Sequence, residues 1–403
     1  MLWKIAWKNI IHKPLNSVLC LSLILFGVSI ISLLIMIQKQ FEEKFERDLK
    51  DIDLVMGAKG SPLQLVLSAV YHLDAPTGNI KLSEAQSIMD GPMIEEAIPL
   101  AYGDSYEGYR ILGTTIAYID HYGAEIEEGR AYSNAMETTI GYAVAKKTGL
   151  KIGDTFMGTH GEVKEGHVHE DQSYTVVGIL KENNSVLDNL VLTEIESVWQ
   201  VHSSHDKHSE GHHEHSPHPE KEEDKEITAV LLKCKSKLAT MSLPRVINQQ
   251  TTMQAVLPGL EINQLFYMLG IGVTTLKLIA GGIMLMAAFS VFFVLYGRLR
   301  ERKHELALMR SVGYRPRDLF GLLLLEGVLF AFIGYVLGTL LSRWGIYMIN
   351  QQAESDFNLQ FKSAYTQGEW NLLLITLLVG VVSALLPAWK AMRMNVSTIL
   401  AEG

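Results

Sequence analysis

Histidine is the residue type in this chain with the most evident capacity for chemistry. His202, His205, His208, His212, His213, His215 and His218 fall in one polar stretch, interleaved with Glu210, Glu214, Glu220, Glu222, Glu223 and Asp224. Imidazole nitrogens and carboxylate oxygens at that density can exchange around Zn²⁺, Cu²⁺ or Ni²⁺, giving labile coordination in place of a closed structural site. So few apolar residues accompany them that the stretch cannot bury enough surface to fold, and residues 203–224 read as a disordered loop. A solvated low-complexity insertion without a ligand fits the same composition. A second group, His160, His167 and His169, precedes an apolar run at 174–180. If 167–169 is extended, His167 and His169 point to one face and form a two-ligand edge, although a structural or solvent-facing role fits them equally well.

The other chemical candidate is a carboxylate. Glu326 lies within an apolar run, about 10 Å of helix rise from its start. At such depth an acid is either a proton or cation site or a structural acceptor for a neighbouring polar group. No phosphate-binding loop of the P-loop form occurs, nor a nucleophile elbow, a zinc-protease helix or paired carboxylates in context. The chain is therefore not expected to be an enzyme or to hydrolyse ATP itself. Its two cysteines, Cys20 and Cys234, fall in different environments and match neither a disulfide framework nor a metal spacing.

The elements that carry these residues segregate sharply. Of 403 residues 48% are hydrophobic, yet 20% are charged, and the two characters occupy different stretches. The net charge of −9 combines an acidic centre with basic ends and gives no support to nucleic-acid binding. Residues 1–14, with Trp3, Trp7, Lys4 and Lys8, read as a cytosolic interfacial helix. Residues 15–37 carry no charge and are too long for a signal-peptide core, so they read as a retained first span. Three further spans are expected at 278–297, 319–342 and 371–389, with an outer loop at 343–370 and a cytosolic tail at 390–403. Lys277 sits at the outer boundary of the second span, as an intramembrane charge or as a lysine snorkelling to headgroups. Between the first two spans, 38–258 holds a charged stalk followed by short apolar runs broken by Gly, Pro, Asn and Asp. Strands are expected near 52–56, 109–112, 139–144, 174–180, 190–192 and 227–232, and helices near 62–71, 83–89 and 143–148. A returning stalk helix is expected at 259–277. The fold class is thus an α-helical membrane protein with four transmembrane helices plus an α+β extracytoplasmic domain inserted between helices 1 and 2. Gly327, Gly334 and Gly338 share a face of the third span that lets a neighbour approach closely, within the subunit or across a dimer.

The loop at 298–318 carries Arg298, Arg300, Arg302, Lys303, Arg310, Arg315 and Arg317, which by the positive-inside rule holds it, and both termini, in the cytoplasm. A helix is expected over 301–312, with Leu306, Met309 and Val312 as an apolar stripe, Gly313 as its left-handed stop and Pro316 opening the next helix. That helix is a surface connector or a docking surface for a soluble partner.

The run Glu301-Arg302-Lys303-His304-Glu305-Leu306-Ala307-Leu308-Met309-Arg310-Ser311-Val312-Gly313-Tyr314, followed by Leu323-Leu324-Leu325-Glu326-Gly327, resembles the signature of the FtsX-like permeases. The opening Trp3-Lys4-Ile5-Ala6-Trp7-Lys8-Asn9-Ile10 and the ending Pro387-Ala388-Trp389-Lys390-Ala391-Met392-Arg393-Met394 agree, as do Glu128-Gly129-Arg130 and Tyr174-Thr175-Val176-Val177-Gly178-Ile179 in the central region. These are membrane subunits of ABC transporters of the lipoprotein-releasing and macrolide-exporter type. The resemblance implies a cell inner-membrane location, a second permease copy in a homo- or heterodimer, and a separate ABC ATPase that carries the ATP. It further implies that 298–318 is a coupling loop, with Arg302, Glu305, Leu306, Met309, Arg310, Val312 and Gly313 at the ATPase. Membrane lipid and a periplasmic or outer-membrane protein are the remaining expected partners. The substrate expected is a lipoprotein, peptide or lipophilic compound; zinc-linked transport using the histidines and non-transporting control of a cell-wall hydrolase are the alternatives.

Overall fold

Proline opens three of the four longest helices, where its missing N–H costs nothing and its fixed φ suits the first turn. A computed structural model describes residues 2–12, 14–159, 173–201, 225–356 and 365–394. Among these, Pro14–Asp48, Pro258–Glu301, Pro316–Gln351 and Gln367–Met392 are long and apolar enough to cross a membrane. The fourth begins with a capping box in which Thr366 and Glu369 satisfy each other's backbone N–H groups. The chain divides into two units, Met1–Glu42 with Met268–Gly403, and Glu43–Tyr267.

In the first unit, an N-terminal helix, Leu2–His12, precedes the four long ones. Ala6, Cys20, Ile24, Val28, Val291, Leu295, Leu322, Phe330 and Ala388 contribute to one buried apolar core. Phe289, Phe293, Leu374 and Leu378 point outward instead, as expected of helices whose solvent is hydrocarbon. Trp3 and Trp7 are exposed on the short helix while Ala6 and Asn9 are buried, the split of an interfacial helix. Lys277 donates from Nζ to Gln38 Oε1 at 2.8 Å.

The second unit is α/β. Its strands in chain order are β1 (Leu54–Ala58), β2 (Ile80–Lys81), β3 (Ile94–Tyr106), β4 (Tyr109–Thr114), β5 (Ile126–Gly129), β6 (Glu137–Ile140), β7 (Thr155–Phe156), β8 (Tyr174–Leu180), β9 (Leu190–Thr193), β10 (Glu226–Ile227), β11 (Ala229–Cys234) and β12 (Met253–Val256). The main sheet runs β12-β1-β11-β3-β4-β9-β6-β8-β5, with β7 on β8, and β10 pairs with β2. Most pairs are antiparallel, but β4–β9 and β6–β8 are parallel. Two apolar clusters lie along it, one around Leu54, Met56, Val230 and Leu243, the other around Ile111, Ile140, Phe156 and Val191. The strand expected over 139–144 stops at Ile140, because extended Gly141 is the N-cap of the helix Tyr142–Thr148. The longest strand, β3, escaped the periodicity because Pro99 and Gly103 interrupt its alternation. The phrases around Gly129 and Gly178 owe their glycines to contact between β5 and β8. A Cβ on Gly129, whose φ is +78°, would lie 2.2 Å from Val177 O, and one on Gly178 would lie 2.0 Å from Arg130 O.

Buried polar side chains tie the end of Pro14–Asp48 into this unit. Tyr71 Oη donates to Phe45 O at 3.1 Å and Tyr122 Oη to Asp48 O at 2.9 Å. His72 is gripped by Tyr102 and Tyr118 at 2.7 and 2.8 Å, and burial holds it neutral, down at about 3. Asp48 itself is 1% exposed, and its carboxylate oxygens have no hydrogen-bond partner among the described residues. Burial pushes it up to about 6, against the opposing pull of Lys44, Arg47 and the nearby Val186 amide. The carbonyl end of its own helix disfavours the anion too. Because the folded-state value lies above the unfolded one, the group's contribution is fully present below about pH 4 and is lost as pH rises through 6. Asp48→Asn should therefore match the parent near pH 4 and exceed it by up to about 3 kcal/mol above pH 6. Denaturant melts of the full chain across that range check this; a pH-independent difference would contradict it.

Candidate functional site

Two buried polar clusters interrupt the apolar interior of the first unit, each centred on a carboxylate. Glu326, 2% exposed, lies on the third long helix, Pro316–Asp356. Its Oε1 accepts from Asn9 Nδ2 at 2.5 Å, and its Oε2 lies 3.9 Å from Arg298 Nη1. Arg298 Nη2 donates to Ser17 Oγ at 2.7 Å, and its guanidinium lies 5.3 Å from the centre of the Phe330 ring. Four helices thus contribute, the third long helix with both Glu326 and Phe330. Buried charge is tolerated in such surroundings only when matched by an opposite charge and by hydrogen bonds. Of the two roles open to Glu326 in the sequence, the structural acceptor is the one these partners occupy.

The second cluster centres on Glu369. Arg343 grips both carboxylate oxygens at 3.0 Å, and Ser32 Oγ donates to Oε1 at 2.8 Å. Ser32 and Ser342 hydroxyls lie 3.0 Å apart, Tyr335 Oη donates to Glu369 O at 3.1 Å, and Arg343 stacks 4.0 Å from the Tyr365 ring centre. Sequence reasoning left Glu369 in a loop. The signal that could have found it is Thr366-x-x-Glu369, a capping box opening an apolar helix.

Leading away from Arg298, the second long helix ends at Glu301, and after Arg302 a short helix, Lys303–Ser311, follows. Arg302 and Glu305 pair at 2.6 Å on its exposed first turn. Gly313 takes φ +110°; its N–H bonds to Arg310 O and that of Tyr314 to Met309 O, closing the helix before Pro316 opens the next. The expected outward stripe is corrected here. Leu306 is 7% exposed and Ala307 is buried, both facing the bundle, and Met309 packs partly against the same core. Leu308 at 54% and Val312 at 81% are the apolar residues left open. The helix is turned because Leu306 completes a core with Leu299 and Leu319, while Arg310 Nη1 donates to Met394 O at 2.9 Å.

Gly327, Gly334 and Gly338 of the third helix serve two neighbours. A Cβ on Gly327 would lie 2.6 Å from Gly380 O and 2.7 Å from Ala384 Cβ, on the fourth helix. Gly334 meets Ile24, and Gly338 meets Leu25 O and Val28, on the first. Their packing partners are therefore within the subunit, where close backbone approach replaces the absent hydrophobic drive between helices in lipid.

His160, His167, His169, His202, His205, His208, His212, His213, His215 and His218 lie outside the described residues. Among the described residues no group of three His, Cys, Asp or Glu side chains comes together to hold a metal, and Cys20 and Cys234 are both free. Trp199 Nε1 donates to Glu226 O at 2.6 Å, and Lys225 Nζ lies 4.5 Å from the Trp199 ring centre.

Two family descriptions match the chain: MacB-like periplasmic core domain over residues 17–237, and FtsX-like permease C-terminal over residues 277–396. The macrolide export ATP-binding/permease protein MacB of Acinetobacter baylyi is 30% identical over 123 residues, 30% of this chain and 17% of that protein. The chain therefore spans less than a fifth of that relative's length. The periplasmic region of MacB from Actinobacillus actinomycetemcomitans is 12% identical, with 54% of this chain and 95% of that one covered at a TM-score of 0.36. The extracellular domain of the noncanonic ABC-type transporter YknZ from Gram-positive bacteria is 13% identical, with 50% and 98% covered at 0.31.

The glycine packing yields a paired prediction. Gly327→Ala should destabilise the purified full chain by about 1–3 kcal/mol through overpacking against backbone. Gly321→Ala, with nothing within 4 Å of the added methyl, should be neutral or gain up to about 1 kcal/mol of helix propensity. Thermal unfolding in detergent compares the two, and equal midpoints would refute the packing role.

Proposed function

This chain belongs to the FtsX-like permeases with a MacB-like periplasmic core domain, an ABC transporter permease subunit of the FtsX and MacB type, and from that premise we propose that it transmits motion. A separate ABC ATPase docks on the helix Lys303–Ser311 and hydrolyses the ATP. Its closure displaces that helix, and the displacement passes along Pro14–Asp48 and Pro258–Glu301 to the unit Glu43–Tyr267 outside the inner membrane. Both termini stay cytosolic, and two permease copies pair with two ATPase copies. The work done outside moves or extracts a lipoprotein, peptide or lipophilic substrate.

One observation carries this reading. The short helix is anchored by its inward face and by Arg310 to the end of the fourth helix, yet it leaves Leu308, Val312 and Lys303 open. A surface connector with no partner has no need to present bare Leu and Val beside cations, whereas an amphipathic contact for a soluble protein does. The continuity of Pro14–Asp48 and Pro258–Glu301, each of which supplies residues to both units, supports a rigid path for the motion.

Leu308→Asp with Val312→Asp should abolish capture of the ABC ATPase by the detergent-solubilised permease while leaving its melting temperature unchanged. Leu306→Asp should instead lower the melting temperature by burying an unpaired charge. Undiminished capture by the Leu308, Val312 double variant would remove the docking assignment.

A further inference from the structure

We propose that Glu326 is the positioning residue that locks the N-terminal helix Leu2–His12 and the base of the coupling helix to the third long helix, so that all three move as one body. This rests on the reading of Lys303–Ser311 as the coupling helix and adds to it a component, the N-terminal helix, that the docking argument does not use.

The connections are continuous in atoms. Asn9 of the N-terminal helix donates to one Glu326 oxygen, and Arg298 of the second long helix faces the other. From Arg298 the path enters the coupling helix through the backbone, since Arg302 N–H donates to Arg298 O at 2.9 Å and Leu306 N–H to Arg302 O at 3.0 Å. Apolar packing runs alongside, with Leu299, Leu306 and Leu319 in one buried cluster. Ala6, one turn before Asn9, is fully buried in that cluster, while Trp3 and Trp7 remain exposed. Among its described side chains, Ala6 and Ile5 pin the short helix through apolar packing and Asn9 through a polar contact to Glu326.

Of the two polar contacts, the one to the N-terminal helix is the shorter, 2.5 Å against 3.9 Å. Arg298 Nη1 makes no hydrogen bond among the described residues and stands 3.9 Å from the carboxylate. A cavity of about 340 Å³ elsewhere borders Arg298 together with Asn16, Ser290, Phe293, Val294, Gly297 and Glu301.

Paired spin labels at Lys4→Cys and His304→Cys, both exposed positions, in a Cys20→Ala, Cys234→Ala background reconstituted in lipid nanodiscs, test the lock directly. The parent should give one narrow distance distribution. Asn9→Ala and Glu326→Ala should each broaden it, and Glu326→Gln, which can still accept from Asn9, should stay near the parent. Asn9→Ala matters most, since it leaves the Arg298–Glu326 pair intact and survives even if Glu326→Ala does not fold. An unbroadened distribution in Asn9→Ala overturns the proposal. With the ABC ATPase bound, Asn9→Ala should keep capture while substrate-coupled ATPase stimulation falls at least about fivefold, the lower end of typical coupling energies. Unchanged stimulation likewise overturns it. Failure of the parent itself to capture an ATPase would instead sink the transmission reading, and the label distances would still decide the lock.

Discussion

A charge in an apolar bundle cannot be left to itself. Where there is no water, a carboxylate must find its counter-charge and its donors on other helices, and meeting that demand fixes which helices are neighbours. Glu326 and Glu369 impose this on the first unit from two places. Glu326 draws in Asn9 and Arg298, with Ser17 joined through the arginine; Glu369 draws in Ser32 and Arg343. The two arginine–carboxylate pairs differ in kind. Arg343 and Glu369 form a saturated bidentate clamp, of the geometry that gives the strongest charge-assisted bonds. Arg298 and Glu326 stand 3.9 Å apart, and the shorter contact of that carboxylate is the one from Asn9.

Between these clusters, packing is governed by the smallest side chains. Gly327 faces Gly380, and Gly334 and Gly338 face Ile24 to Val28, so the third helix touches the fourth with one patch and the first with another. In hydrocarbon such close approach supplies dispersion contacts that burial alone cannot, since lipid is as apolar as leucine. The outcome is a third helix held closely against both the first and the fourth.

Much of this was legible in the order of residues. Uncharged runs announced the four long helices, Gly313 and Pro316 marked the boundary between the short helix Lys303–Ser311 and the next, and broken alternation announced an α+β unit. What misled was direction. Leu306, Met309 and Val312 recur at helical spacing, but spacing shows only that they share a side, not what that side meets; the core claimed Leu306 and left Val312 bare. Glu369 was hidden for a related reason, since an acid at the edge of an apolar run looks like loop until Arg343 is seen to close on it. The strand β3 was masked by Pro99 and Gly103, whose cost to a strand is outweighed by its central place between β11 and β4.

By itself, then, the sequence determined the segregation of apolar from charged stretches, the four long helices and the resemblance that names the family, because these depend on local composition and period. Only the tertiary structure decided that Asn9 and Glu326, 317 residues apart, share a hydrogen bond, that the glycines serve contacts within the subunit, and that the segment after Arg302 leaves Leu308 and Val312 open. Those facts depend on which helix lies beside which, and a one-dimensional pattern specifies a face without specifying its neighbour.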